Sequence, residues 1–238
     1  MKTKIEEISW SVAGNILSAE RCRILVQMIS KYATEINSTP TSEFFGFCQS
    51  VMINQYYVNL VKIYEPKKRY PMKTIPALLD ELKSLGWLSE EKSGLAKSEL
   101  KKLGITFKVS CKLKCKGLLQ MERELETALR RRLPAWNDDG KPISETLKRL
   151  RTIRDKVIAH PELIEPTALK EVPWNKSQEL LALAKDTLGT VGRLTSSTEW
   201  QFGGKFTLDI DFQKSEMSLL NLLQMARIVS PDENDDEG

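Results

Sequence analysis

The sequence predicts an all-α protein built as a helical bundle. Three observations lead there. Apolar residues recur at three- and four-residue spacing through most of the 238 residues, which is the period of a half-buried helix. Gly (12) and Pro (10) are few, which disfavours a turn-rich all-β fold. Strict alternation, the mark of a strand, occurs once, at Phe206, Leu208, Ile210 and Phe212. Residues 205–212 are therefore expected as a short extended segment within an otherwise helical domain spanning 1–230. Residues 231–238, with five acidic side chains and nothing apolar to bury, are expected to form a disordered tail.

The elements follow in order. Ile5, Ile8, Val12, Ala13, Ile16 and Leu17 have helical spacing, and Leu25, Val26, Met28 and Ile29 form a second stripe that stops near Asn37-Ser38-Thr39-Pro40. Thr41 or Ser42 is placed to cap the next helix, which is apolar over much of its circumference from Phe44 to Tyr64 and so is expected at the bundle centre. Glu65-Pro66 ends it, because a residue before proline is pushed out of helical conformation. Thr74 precedes a short helix carrying Ile75, Leu78, Leu79 and Leu82, closed by Gly86. A long helical stretch is expected from about Ser93 to Arg132, weakened at Gly104 and stopped by Pro134. Ser144 opens a helix lined by Leu147, Leu150, Ile153, Val157 and Ile158, which His160-Pro161 ends. Two more follow, from about Ser177 to Leu194 and from Lys214 to Arg227.

Composition narrows the function classes. Apolar residues at 41% and charged residues at 29% describe a soluble globular chain. There is no run of about eighteen apolar residues to span a membrane, and the stretch Met1-Lys2-Thr3-Lys4-Ile5-Glu6-Glu7 has no apolar core of a secretory signal. The four cysteines, Cys22, Cys48, Cys111 and Cys115, have no zinc-site spacing, and reduced thiols in a cytoplasmic protein are expected. A single histidine excludes any multi-histidine metal site within one chain. The net charge is +4, and setting the acidic tail aside leaves +9 on residues 1–230, a moderate attraction for a polyanion. The basic residues around Lys101–Lys116 and at Arg130-Arg131-Arg132 read as solvated helix faces.

The third basic cluster contains the histidine: Leu150-Arg151-Thr152-Ile153-Arg154-Asp155-Lys156-Val157-Ile158-Ala159-His160-Pro161. It joins an arginine, a polar residue directly after it, and a histidine six residues on at a helix end. This segment resembles the signature of the HEPN superfamily of helical-bundle ribonucleases and nucleotide-associated proteins, with Arg154, Asp155 and His160 matching in type, order and spacing. The stretch from Phe44-Phe45 through Tyr56-Tyr57 to Tyr64-Glu65-Pro66, followed by Ile75-Pro76-Ala77-Leu78-Leu79, resembles the AbiU-like branch. Those are abortive-infection proteins of prokaryotic phage defence. The resemblance covers roughly residues 5–200.

It implies a metal-independent endoribonuclease without cofactors, acting on RNA as a homodimer in the cytoplasm, in antiviral or toxin–antitoxin defence. An antitoxin or nucleotidyltransferase partner fits the same picture. By this resemblance Arg154 holds phosphate, His160 transfers protons and Asp155 orients one of them, while Arg151 and Lys156 contact RNA. A two-fold dimer would bring both motifs to one cleft and supply a second imidazole. The residue types suit the reaction. RNA carries its own nucleophile in the 2′-hydroxyl. An imidazole titrates near neutral pH and serves as base or acid. A guanidinium stays charged and offers a planar fork to phosphate oxygens.

Plainer roles stand beside these. A histidine at a helix C-terminus also interacts with the last carbonyls and the helix dipole. Asp155 also fits a solvated helix surface, and Arg151 also fits an ion pair with Asp155 one turn on. In a straight helix six residues turn by about 600°, leaving His160 about 120° from Arg154, so the two converge only if the helix unwinds. The alternative function is a non-catalytic helical module that binds RNA or nucleotide, or only dimerises.

Overall fold

The computed structural model describes residues 4–66, 73–84, 86–105, 114–134, 144–155, 172–195, 200–202, 205–206 and 209–230. The expected all-α architecture is what these residues form. The helices are α1 (Lys4–Lys31), α2 (Ala33–Asn37), α3 (Ser42–Tyr64), α4 (Ile75–Leu82), α5 (Ser93–Lys102), α6 (Lys114–Arg132), α7 (Glu145–Ile153), α8 (Trp174–Thr195) and α9 (Asp209–Met225), with a 3₁₀ turn at Glu90–Lys92 before α5.

The two apolar stripes of the N-terminal region lie on one 28-residue helix, α1, with no break between them. It packs against α3, α4, α8 and α9 and takes the central position expected for α3. α3 is only half buried. Tyr56, Leu60, Val61, Ile63 and Tyr64 are enclosed, while Phe44, Phe47 and Val51 face outward. Apolar periodicity cannot tell a core-facing helix from one whose far side is left unpartnered. The buried half is pinned by hydroxyl groups: the Tyr64 hydroxyl donates to the Leu180 carbonyl at 2.5 Å and the Tyr56 hydroxyl to Ser177 Oγ at 3.3 Å. Both bonds tie α3 to α8.

α4 begins as its sequence indicated. Thr74 Oγ1 accepts from the Ala77 amide at 3.3 Å, and Pro76 sits in the first turn, where no helical N–H partner is needed. Gly86 follows with φ +100°. Thr41 occupies the N-cap position of α3 but makes no side-chain capping bond; its hydroxyl lies 2.6 Å from that of Thr39.

The long helix expected over Ser93–Arg132 is instead two helices. Gly104 has φ +78°, its amide bonds to the Lys101 carbonyl at 3.0 Å, and the Ile105 amide bonds to the Leu100 carbonyl at 2.9 Å. That pair of bonds around a left-handed residue is a Schellman stop. Residue 104 could lie within a helix only at a cost, whereas it closes one freely.

The extended segment expected at 205–212 is shorter than that. Gln201–Phe202 (β1) and Lys205–Phe206 (β2) form a two-stranded antiparallel ladder, pairing Gln201 with Phe206 and Phe202 with Lys205. Helix α9 starts at Asp209, so Ile210 and Phe212 are helical. An isolated strand has too few partners to persist.

α9 closes with a second Schellman stop, in which Arg227 holds the left-handed position at φ 56°. The Ile228 and Arg227 amides bond to the Leu223 and Gln224 carbonyls, both at 2.9 Å. A side chain there is strained by about 1–2 kcal/mol. Arg227→Gly is expected to gain about 0.5–1 kcal/mol in urea unfolding, the relieved strain being partly offset by a freer unfolded chain.

Apolar burial falls into three clusters. The largest joins α1, α3, α4, the end of α6, α7 and α8 and includes Val12, Ile16, Leu60, Leu78, Leu129, Leu150 and Leu188. A second joins α1, α2, the start of α3 and α9 through Met28, Tyr32, Phe45 and Leu223. A third joins α5, α6 and the end of α8 through Leu88, Leu100, Leu125 and Leu194. Glu122 of α6, 1% exposed, accepts from the Gly86 amide at 2.8 Å and the Leu88 amide at 2.6 Å, fastening α6 to the segment after α4. No described helix is long and apolar enough to cross a membrane. The tail at 231–238 lies outside the described residues.

Candidate active site

α7 packs against α3. Its buried face is set by Leu147 and Leu150, and Ile153 packs against the same cluster. That places Arg154, the next residue, beside the C-terminal end of α3. α-Helical geometry stops at Ile153, and the backbone of Arg154 and Asp155 enters a wider, π-type turn. Such turns insert an extra residue per turn and redirect side chains, and they recur at functional sites. The departure from α geometry therefore begins at the arginine, ahead of the proline that was expected to cause it.

Arg154 lies between two carboxylates. Its Nε donates to Asp155 Oδ1 at 2.7 Å, and its Nη1 donates to Glu65 Oε2 at 3.0 Å. Arg151 Nε lies 3.5 Å from Asp155 Oδ2, which is the i,i+4 ion pair weighed from the sequence. The side chains of Arg154 and Glu65 are 18% and 14% exposed and Asp155 is 44% exposed, so the cluster is closed on the α3 side and open at Asp155. Burial works against the Arg154 charge. The hydrogen bond to Asp155 and the Glu65 carboxylate outweigh it and hold the guanidinium above its ordinary value. The side chain therefore stays cationic at any working pH.

The structure thus brings together Arg151, Arg154 and Asp155, and adds Glu65, which sequence reading used only as a helix end. Its signal was present: Glu65 follows the buried Tyr64 and precedes a proline, so its backbone turns out of the helix at φ −64°, ψ 130°. The partner, 89 residues further along, was not readable from spacing. His160 and Lys156 lie outside the described residues.

The rest of the basic segment is also paired. Lys148 and Arg149 lie 3.8 Å and 3.3 Å from Glu145. At the end of α6, Arg130 bonds to Glu126 at 2.5 Å and to Asp80 at 3.0 Å, and Arg132 lies 3.5 Å from Asp186. A polar cavity of about 470 Å³ lies elsewhere, between α5, α6 and α8, and its cations face Glu99 and Asp186. Trp200 is buried with its ring edge-to-face against Trp10, centroids 4.7 Å apart, in keeping with a packing role. Cys22 and Cys48 carry free thiols, and burial pushes the Cys22 thiol up, away from the reactive thiolate. Among the described residues no group of three or more His, Cys, Asp or Glu is placed to hold a metal ion.

The Glu65–Arg154 bond links two helices across a largely buried contact. Glu65→Ala and Arg154→Ala are each expected to cost about 1.5–3 kcal/mol in urea unfolding. In a double-mutant cycle the two losses should fall short of additivity by about 0.5–3 kcal/mol. Additive losses would mean that the two side chains do not act on one another.

Fold and cluster together define the class: an all-α bundle that presents a carboxylate-held arginine where a helix loses its α geometry. The family HEPN_AbiU2, described as AbiU2, matches residues 3–211, and the chain belongs to it. No curated protein and no solved structure matches the chain.

Proposed function

We propose that the chain is a metal-independent endoribonuclease of HEPN type acting in prokaryotic antiviral or abortive-infection defence. The observation that carries the reading is Arg154: a permanently charged guanidinium, fixed from behind by Glu65, at the head of the segment that ends in the chain's single histidine. Glu65 closes one side of the fork. Asp155, more exposed, covers the other, and a phosphate group approaching there exchanges with it for the guanidinium N–H groups. The phosphate gathers negative charge as the 2′-hydroxyl attacks, and Arg154 is positioned against that charge. His160 takes the hydroxyl proton or returns one to the leaving 5′ oxygen. Membership of the AbiU2 family supports the reading.

The test is cleavage of RNA by the purified chain in excess chelator, against an otherwise identical oligonucleotide with 2′-deoxy sugars. The RNA is expected to be cut and the deoxy strand to stay intact, because only the first supplies the nucleophile. Cutting of both, or loss of cutting on chelation, overturns the mechanism. Tight RNA binding with no turnover favours the non-catalytic module instead.

A further inference from the structure

We propose that the polar cavity bounded by α5, α6 and α8 binds a small phosphate ester, of the sugar-phosphate class. Its volume is about 470 Å³, within the range of small-molecule sites. Three cations reach it from three different helices: Lys102 from α5, Arg132 from α6 and Arg193 from α8. Two carboxylates, Glu99 and Asp186, line it with them, so one positive charge is in excess. Like charges gathered in one hollow repel, and an anion among them relieves that repulsion.

The two carboxylates stand differently. Glu99 is buried, and Arg193 Nη2 and Lys102 Nζ both donate to its Oε1, at 3.1 Å and 2.9 Å. A buried charge with two partners is a fixed part of the wall. Asp186 is 55% exposed, and its contact with Arg132 spans 3.5 Å, the outer limit of a hydrogen bond. Arg132 has no other hydrogen bond or ion pair among the described residues, although a guanidinium carries five N–H groups. It is the cation best placed to exchange a loose carboxylate for an incoming anion.

Shape and size identify that anion. A carboxylate presents two oxygens in one plane. A phosphate monoester presents three, splayed in three directions, and suits donors that arrive from three helices. The cavity is larger than a phosphate group, so the group comes on a carrier. Among the described lining residues only Leu103 is apolar and none is aromatic. The carrier is therefore polar, and a nucleobase finds no ring to stack on. The same lack argues against a nucleic-acid strand, which lies along grooves with aromatic platforms. Sugar hydroxyls both donate and accept, which matches walls of both signs. The inference does not rest on the ribonuclease reading.

Calorimetric titration of the full chain tests this, with circular dichroism to confirm that each variant is folded. Ribose 5-phosphate should bind with a dissociation constant of about 1 mM or tighter, inorganic phosphate more weakly, and ribose and acetate not at all. Arg132→Gln should weaken ribose 5-phosphate about tenfold or more, the scale of a hydrogen bond to a charged group. Asp186→Asn should tighten it about twofold to fivefold, because the competing carboxylate is gone. The opposite signs are the decisive result, since both substitutions break the same ion pair. No binding of ribose 5-phosphate overturns the proposal, as does binding that Arg132→Gln leaves unchanged or that Asp186→Asn weakens. Acetate bound as well as phosphate overturns the choice of anion, and inorganic phosphate bound as tightly as its ester overturns the sugar. Displacement of ribose 5-phosphate by a 2′-deoxy oligonucleotide would put a strand in the cavity and overturn the small-molecule assignment.

Discussion

Replacing His160 with alanine is expected to lower the rate of RNA cleavage in excess chelator by about 10²–10⁴-fold, the usual range for one general acid–base group. The chain has a single histidine, so no neighbouring imidazole can mask the loss. Adding free imidazole to the His160→Ala protein should recover part of the rate, which a purely structural histidine would not allow. Arg154→Ala should cost about 10²–10³-fold, the scale of losing one fixed donor from a charged transition state. Arg154→Lys should fall between, because an ammonium keeps the charge and loses the planar fork. Arg154 also stabilises the α3–α7 contact, so its rate must be measured well below the unfolding transition. Unchanged cleavage by purified His160→Ala protein would remove the enzymatic reading and leave the helical module.

The second large effect concerns stability alone. Glu122→Ala is expected to destabilise the protein by about 2–5 kcal/mol, read from urea unfolding. The carboxylate is buried and is the acceptor for two backbone amides, Gly86 at 2.8 Å and Leu88 at 2.6 Å. Alanine leaves both N–H groups without their acceptor and opens a void. Glu122→Gln keeps one carbonyl oxygen in place and should cost less, since one amide retains its bond. It also turns an NH₂ group toward the other amide, so some loss remains. A cost below about 0.5 kcal/mol for Glu122→Ala would place it among ordinary surface changes and show that water takes over the acceptor role.

Much of the fold was legible because it depends on short-range pattern. The 3.6-residue apolar spacing located the helices, Thr74 capped α4, and Glu65-Pro66 ended α3, whereas α4 stops at Leu82, ahead of the Gly86 expected to close it. What the sequence left open depends on contacts between distant residues. Gly104 weakened a helix on paper, but whether it kinked or ended it turned on two carbonyl bonds at 100 and 101. Phe206–Phe212 reads at period two, and the start of α9 at Asp209, partway along it, is not signalled by that spacing. α3 looked like a central helix because nothing in a single sequence says which of two apolar faces finds a partner. At the candidate site the local pair Arg151–Asp155 was readable from spacing. The bond from Arg154 to Glu65 was not, because it spans 89 residues and depends on how α7 packs on α3.

The separation of the interior into three clusters has a consequence for how the molecule comes apart. The group formed by α5, the first part of α6 and the end of α8 meets the largest cluster through Trp87 and Leu103, which touch both, and through the end of α6, where Leu129 is buried in the largest cluster. Regions tied by so few shared contacts open at lower free energy than the whole. Amide protons in α5 should therefore trade with deuterium through a partial opening, sooner than those of α1, whose central residues lose protection only when everything melts. Limited proteolysis should nick the same region first and leave α1, α3 and α8 associated.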